Sequence, residues 1–131
     1  MFRLSKKTHY CLMALKHILS KEDETSSARE IAEAHDIPFE VLAKLLQTLA
    51  RKGILVSQHG TKGGYSPARD PSAITLRDVM EAIDGPVALV QCAGPHKRSC
   101  RQERKCRVRG PLTRLNEKVV DLLSRTTLRE I

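Results

Sequence analysis

Several features that would place a protein in a class at once are missing from this chain of 131 residues. No apolar run approaches the roughly 18 residues needed to cross a bilayer, and no apolar signal core follows the first basic residues. There is no internal repeat and no low-complexity linker. No Ser/His/Asp set, carboxylate pair or phosphate-binding loop is evident, which argues against an enzyme. We therefore expect one compact domain with an extension, in the cytoplasm.

The charge is unevenly distributed along the chain. The formal net charge is +8 and the pI about 9.6, which favours a polyanionic partner. Residues 1–90 carry 12 basic and 11 acidic side chains, a net charge of +1, whereas residues 91–131 carry 11 and 4, a net charge of +7. The basic excess therefore belongs to the last third of the chain, which also contains three of the four cysteines.

The first half of the sequence predicts three helices. Apolar residues recur at helical spacing over residues 8–20, and a capping box of Ser27 and Glu30 opens a second helix that runs to about Ala34. Pro38 suits the first position of a third helix. The buried stripe of that helix is Leu42, Leu45, Leu46 and Leu49. A helix, a short turn and a second helix form the helix-turn-helix pattern.

A predicted hairpin follows this pattern. Residues 54–56 and 65–68 read as short strands on either side of the glycine-rich loop 60–64. Thr75 then opens a fourth helix, which Gly85 and Pro86 close. The predicted fold is mainly α with a small β-hairpin wing, that is, a winged helix-turn-helix with a long C-terminal dimerisation helix.

We divide the chain into three segments. Residues 1–86 form the predicted DNA-binding domain, residues 87–110 an irregular cysteine-rich loop, and residues 111–131 a dimerisation helix with its tail. In the last segment apolar residues recur at alternating steps of three and four, the spacing of a helix–helix seam. These residues are Leu112, Leu115, Val119 and Leu122. We therefore expect a homodimer.

Candidate contacts to double-stranded DNA lie on three parts of the predicted winged helix. The exposed face of the third helix would meet the bases, with Glu40 and Lys44 as the main readers, although an i,i+4 ion pair would also explain these two charges. The wing tip would approach a phosphate or the minor groove, and the start of the first helix would clamp the backbone. The full set is Ser5, Lys6, Lys7, Phe39, Glu40, Lys44, Gln47, His59, Thr61 and Lys62.

Three cysteines, Cys92, Cys100 and Cys106, provide soft metal ligands within one irregular loop. Zinc sites usually have closely paired cysteines and four protein ligands, whereas this wide spacing suits a larger inorganic cluster. Three unrelated cysteines in a basic loop remain the alternative. Cys11 lies among apolar residues of the first helix, and we interpret it as part of the core.

With these parts in order, the chain resembles the IscR/NsrR-like family of iron–sulfur-cluster-sensing winged-helix transcriptional repressors from Leu4 to about Leu128. The resemblance is carried by the opening residues 4–10, the wing residues 63–69 and the cysteine loop. Residues 106–110, with Arg114, Asn116 and residues 127–128, most resemble the subgroup that regulates SUF-type cluster assembly. The resemblance implies a dimer on a pseudo-palindromic operator, with Cys92, Cys100 and Cys106 binding a [2Fe-2S] or [4Fe-4S] cluster.

The resemblance leaves the fourth ligand of the cluster open. IscR-like members have a histidine three positions after the last cysteine, but this chain has Arg109 there, which cannot ligate iron. NsrR-like members recruit a carboxylate from the first helix of the partner subunit, and the matching residue here is His9. His96, Cys11 and an exogenous ligand are the alternatives to His9.

Three functions compete at this point. The first is a regulator, either of cluster assembly or of iron, redox or nitric oxide response genes. The second is a small electron carrier or cluster-transfer protein, which the wing and the charged recognition helix disfavour. The third is a DNA-binding regulator whose cysteines bind zinc or undergo thiol oxidation.

Overall fold

The computed structural model describes residues 3–95 and 100–131, and the mainly α architecture with one hairpin is as predicted. In these residues it has five α-helices, one antiparallel hairpin and a 3-10 turn at Pro71–Ala73. No helix in this part of the chain combines the length and apolarity that crossing a bilayer requires. The elements are α1 Lys6–Ser20, α2 Ala28–His35, α3 Phe39–Arg51, β1 Leu55–Gln58, β2 Gly64–Pro67, α4 Leu76–Asp84 and α5 Arg109–Arg125.

The core lies between α1, α2, α3 and α4. The predicted leucine stripe of α3 is confirmed, since all four of its side chains are buried. Cys11 of α1 is also fully buried, which confirms its assignment to the core. Leu128, beyond the end of α5, belongs to the same cluster, and its backbone N–H donates to Ile74 O at 2.9 Å. The C-terminal tail therefore packs against the first segment of the chain.

Some details of the helix starts differ from the sequence prediction, and α5 begins at Arg109 rather than at residue 111, so the last two residues predicted as loop are helical. Pro38 is the N-cap of α3 rather than its first helical residue. The Ser27 side chain caps α2 by accepting a hydrogen bond from the Glu30 N–H, as predicted, but Glu30 does not complete a capping box. Its carboxylate pairs instead with the ammonium of Lys21, which is a charge-assisted contact and thus stronger than one to a neutral amide.

The hairpin is shifted slightly from its predicted bounds and is attached to the helical core. Leu55 pairs with Pro67 and Gln58 with Gly64. Ser26 extends the hairpin by a two-way backbone bridge to Tyr65, at 3.1 and 2.8 Å. A Cβ atom on Gly64 would lie 2.6 Å from the Ser26 backbone, so only glycine allows this close approach.

Candidate DNA-binding face and cysteine loop

The outer face of α3 presents the side chains that the sequence predicts for base contacts. Phe39, Glu40, Lys44 and Gln47 are all exposed. Within the described residues Glu40 and Lys44 form no ion pair, so the alternative account of their charges receives no support from the structure. The leucine stripe on the opposite face fixes the orientation of α3 against the core.

The wing tip is exposed, and a hydrogen bond ties it to the rest of the fold. His59, Thr61 and Lys62 all face solvent. The Thr25 hydroxyl donates to Lys62 O at 2.7 Å, which joins the tip to the loop between α1 and α2. This contact uses the Lys62 backbone, so its ammonium group stays available for an anion.

The start of α1 carries the third predicted contact group. Lys6 and Lys7 are exposed, and the Lys6 ammonium lies 5.7 Å from the centroid of the Tyr10 ring. Ser5 is the N-cap: its hydroxyl accepts from the Thr8 N–H at 3.1 Å and donates to Asp84 Oδ2 at 2.5 Å. The Ser5 hydroxyl is thus engaged within the chain, and the positive charge of this end comes from the exposed side chains of Arg3, Lys6 and Lys7.

Sequence reasoning missed Arg29. This exposed side chain of α2 lies over the ring of Phe39, with its Cζ atom 4.5 Å from the ring centroid. The only sequence signal was an arginine at the start of the first helix of the helix-turn-helix. Nothing local in the sequence indicated that it would reach the first residue of α3.

The cysteine loop connects α4 to α5, and all four cysteines of the chain are free thiols. Cys92 and Cys106 are half-buried, whereas Cys100 is exposed and donates from Sγ to Gln102 Oε1 at 3.2 Å. Cys92 lines a groove with Arg77 of α4 and Arg109 of α5. The first part of the loop is anchored to α5 by Asn116, whose buried side-chain oxygen accepts from the Leu89 N–H at 2.7 Å.

The described part of the loop is strongly basic. Four side chains, Arg101, Arg104, Lys105 and Arg107, are exposed, and none of them forms an ion pair within the described residues. Arg109 pairs with Glu103 at 2.5 Å. The remaining basic residues of the loop, Lys97 and Arg98, and the candidate ligand His96 lie outside the described residues.

Comparison with known protein families decides the class. The family model Rrf2, described as an iron-dependent transcriptional regulator, matches residues 4–131. The chain belongs to the Rrf2 family. It is therefore a DNA-binding transcriptional regulator rather than an enzyme, as the sequence predicts.

Other Rrf2-type regulators are similar to this chain in sequence and in fold. The transcriptional regulator IscR of Yersinia pseudotuberculosis is 29% identical over 130 residues, which cover 98% of this chain and 78% of the relative. CymR of B. subtilis, the global cysteine regulator of that organism, has a TM-score of 0.75 at 23% identity, covering 99% of this chain and 95% of CymR. IscR of T. potens has a TM-score of 0.69 at 22% identity, covering 98% of this chain and 85% of that protein. The last two likenesses concern the fold, and they confirm the predicted winged helix.

The thiols of this Rrf2 chain fit an iron–sulfur cluster in type, although the structure does not gather them. Cys92, Cys100 and Cys106 are free and are the thiolate donors that such clusters use. Across residues 3–95 and 100–131, no three His, Cys, Asp or Glu side chains converge as metal ligands. His9 is exposed on α1 and lines a groove with Asp84 and Gly85, at the root of the loop.

Cys11 differs from the three loop thiols in its chemistry. Burial in the core, with a smaller contribution from the nearby charge of Asp84, raises the pKa of the Cys11 thiol to about 12. Metal ligation requires a thiolate. Cys11 is therefore a poor candidate for the fourth ligand.

Proposed function

We propose that this chain is a homodimeric transcriptional repressor whose operator affinity is controlled by an iron–sulfur cluster, either [2Fe-2S] or [4Fe-4S]. Cys92, Cys100 and Cys106 would hold the cluster. The observation that carries the proposal is the position of these three free thiols, all in the one loop that joins α4 of the DNA-binding unit to α5. A ligand bound in this loop can change the position of α5 relative to the DNA-binding unit.

The charges of the loop support an anionic group at this position. Thiolate-ligated iron is a soft, electron-rich centre, and the exposed arginines and lysine of residues 101–107 would balance its negative charge. Without that group these cations repel one another, because few acidic side chains lie among them. We expect loss of the cluster to loosen the loop and alter operator affinity.

A dimer is supported by the apolar face that α5 leaves uncovered. Leu115 is 48% exposed and Leu122 is 61% exposed, one heptad apart on the same side of the helix. Apolar side chains in such a row are usually covered by a partner. Pairing of two α5 helices would also bring two winged-helix units together on one pseudo-palindromic operator.

His9 is our candidate for the fourth ligand, supplied by the partner subunit. The ring is exposed and lies beside Gly85, where the loop begins, and histidine nitrogen is a known replacement for a thiolate on iron. A ligand from the partner would make cluster binding depend on dimer geometry. His9→Ala is expected to keep a more labile cluster with an altered spectrum.

We assign the regulated genes to cluster assembly, or to iron, redox or nitric oxide responses. The description of the Rrf2 family as iron-dependent supports this class of target. The likeness of residues 106–110 to regulators of SUF-type assembly makes cluster-assembly genes the first to examine.

The deciding experiment compares three forms of the protein at one salt concentration. The forms are anaerobically purified protein with its cluster, the same protein after cluster removal, and Cys92→Ala/Cys100→Ala/Cys106→Ala. Iron and sulfide analysis with Mössbauer spectra establishes what the first form holds. We expect the cluster-loaded form to differ from the other two in operator affinity and footprint. Identical affinities and footprints in all three would reject cluster control.

A second candidate is a regulator that senses oxidation through the same thiols or holds zinc. The exposed Cys100 thiol favours it, since accessible cysteines oxidise first, and the related fold of CymR belongs to a cysteine regulator. Analysis of acid-labile sulfide distinguishes the two candidates. The second candidate would replace the first if the protein contained no acid-labile sulfide but held zinc or oxidised thiols, and if its DNA affinity changed with the zinc content or the oxidation state.

A further inference from the structure

The contact between Arg29 and Phe39 joins the two helices of the helix-turn-helix at its outer surface. Arg29 belongs to α2, and Phe39 is the first residue of α3. The guanidinium lies 4.5 Å from the centre of the ring, within the range of a cation–π contact. Both side chains are exposed, so this contact is not part of the buried core.

The hydrogen-bond donors of Arg29 have no acceptor in the part of the chain that the structure describes. No ion pair and no hydrogen bond of the guanidinium occurs there. Glu33, one helical turn further along α2, is placed for an i,i+4 ion pair with Arg29, but the two side chains form no ion pair among the described residues. The guanidinium of Arg29 instead stacks on the Phe39 ring. This contact restricts the motion of the guanidinium and leaves its N–H groups available to donate hydrogen bonds to a ligand.

We infer that Arg29, held in place by Phe39, is a phosphate-binding residue that positions α3 in the DNA groove. The inference rests on the DNA-binding part of the proposed function and is independent of the cluster. In a helix-turn-helix the second helix enters the major groove while the first crosses the backbone. A guanidinium from the first helix at the start of the second therefore faces the sugar–phosphate chain.

Arginine suits this task better than lysine. Its planar fork donates two parallel hydrogen bonds to phosphate oxygens and its π face stacks on a ring, whereas an ammonium group offers only a point charge. Since Phe39 starts α3, a phosphate fixed at Arg29 also fixes the point at which α3 enters the groove. This places Arg29 among residues that set affinity and register without reading sequence.

The test measures the salt dependence of binding for Arg29→Ala on two DNAs. One is a duplex that the wild-type protein selects from a random library, and the other is an unselected random-sequence duplex. We expect affinity to fall about tenfold on both at the same salt concentration, and the slope of log K against log salt to decrease in magnitude by about one. A role confined to folding would not change that slope.

Four further variants make the result specific. Arg29→Lys should keep the salt slope but lose several-fold in affinity, because the charge remains and the fork does not. Phe39→Leu should reproduce part of the loss in affinity caused by Arg29→Ala. The double variant Arg29→Ala/Phe39→Leu should lose less binding free energy than the sum of the two single losses. Arg125→Ala is the control: it removes the same charge from α5, where Arg125 pairs with Asp121 of its own helix, and should leave the slope unchanged.

The outcomes separate this inference from the proposed function. An unchanged slope and affinity for Arg29→Ala, in a protein whose wild type binds both duplexes, overturns the inference alone. A loss confined to the selected duplex also overturns it, because Arg29 then reads a base. If the wild-type protein, with or without its cluster, selects no duplex from the library, the proposed function itself fails.

Discussion

Thr8 donates a hydrogen bond from its hydroxyl to Asp84 Oδ2 at 2.8 Å, and so joins the first turn of α1 to the last residue of α4. Thr8 is fully buried, and the Ser5 hydroxyl donates to the same oxygen. A carboxylate at the C-terminal end of a helix faces the negative end of the helix dipole, which is unfavourable. The two hydroxyls offset that cost and connect the root of the cysteine loop to the start of α1.

Replacing Asp84 by Asn should lower the free energy of unfolding by about 1–2 kcal/mol, since weakening two charge-assisted hydrogen bonds costs more than removing the charge from the helix end gains. Urea denaturation followed by circular dichroism measures the change. Asp121→Asn is the matched control, because Asp121 forms only an exposed i,i+4 pair with Arg125 and should contribute little. Equal losses in the two variants would show that the contact to Thr8 and Ser5 contributes nothing measurable.

The His17 ring predicts a pH dependence of stability. Burial, followed by the neighbouring His35 and Lys21, lowers the pKa of His17 below its usual 6.5. Its Nδ1 atom lies 3.0 Å from His35 Nε2, and its other nitrogen lies 3.8 Å from Glu30 Oε1, which opposes the shift. The unfolded chain thus binds a proton that the folded chain resists, so stability rises with pH through this range.

We expect the free energy of unfolding to fall as pH drops below about 6.5, and His17→Gln to flatten that dependence. Chemical denaturation between about pH 5 and 8 measures it. His59→Gln is the control, because His59 is exposed at the wing tip and its replacement should leave the curve unchanged. A His17→Gln curve as steep as that of the wild type would assign the dependence to other groups.

Alkylation should distinguish Cys11 from the loop cysteines. The raised pKa of Cys11 leaves almost no thiolate at pH 8, and the side chain is fully buried. In cluster-free reduced protein, iodoacetamide is expected to modify Cys100 first, then Cys92 and Cys106, and Cys11 only after denaturation. Peptide mass spectrometry records the order. Modification of Cys11 as fast as Cys100 would contradict the structure around α1.

Features that depend on local spacing could be predicted from the sequence, whereas contacts between separate elements could not. The leucine stripe of α3, the Ser27 cap and the burial of Cys11 follow from local spacing, and the structure confirms them. The pairing of Glu30 with Lys21 was missed because the lysine comes from the preceding segment and competes with a local backbone partner. The contact of Arg29 with Phe39 also joins two separate elements. It depends on the angle between α2 and α3, which local spacing does not predict.

The exposed face of α5 gives a prediction about the oligomeric state. Leu115→Asp together with Leu122→Asp should produce monomers, because two carboxylates would be desolvated in the proposed seam. Analytical ultracentrifugation measures the change. Arg114→Asp is the control: it places a carboxylate about 100° around the helix from Leu115 and should leave the dimer intact. A double variant that still sediments as a dimer would place the interface elsewhere.

The last prediction separates the roles of two lysines on the DNA-binding face. Lys44 is exposed on the outer face of α3, beside Glu40, where we expect side chains to meet base edges. Lys62 lies at the wing tip, and the hydrogen bond from Thr25 to its backbone oxygen holds the tip while leaving the ammonium group for a phosphate. The two lysines carry the same charge, so only their positions distinguish them.

Lys44→Ala should lower the ratio of affinities for selected and random duplexes, because a base contact specifies sequence. Lys62→Ala should weaken binding to both duplexes by a similar factor and reduce the magnitude of the salt slope by about one, because a phosphate contact is independent of sequence. Competition binding at several salt concentrations measures both quantities for each variant. Lys118→Ala, on α5, removes the same charge away from this face and should change neither. An equal loss of sequence discrimination in Lys44→Ala and Lys62→Ala would mean that the wing also reads bases.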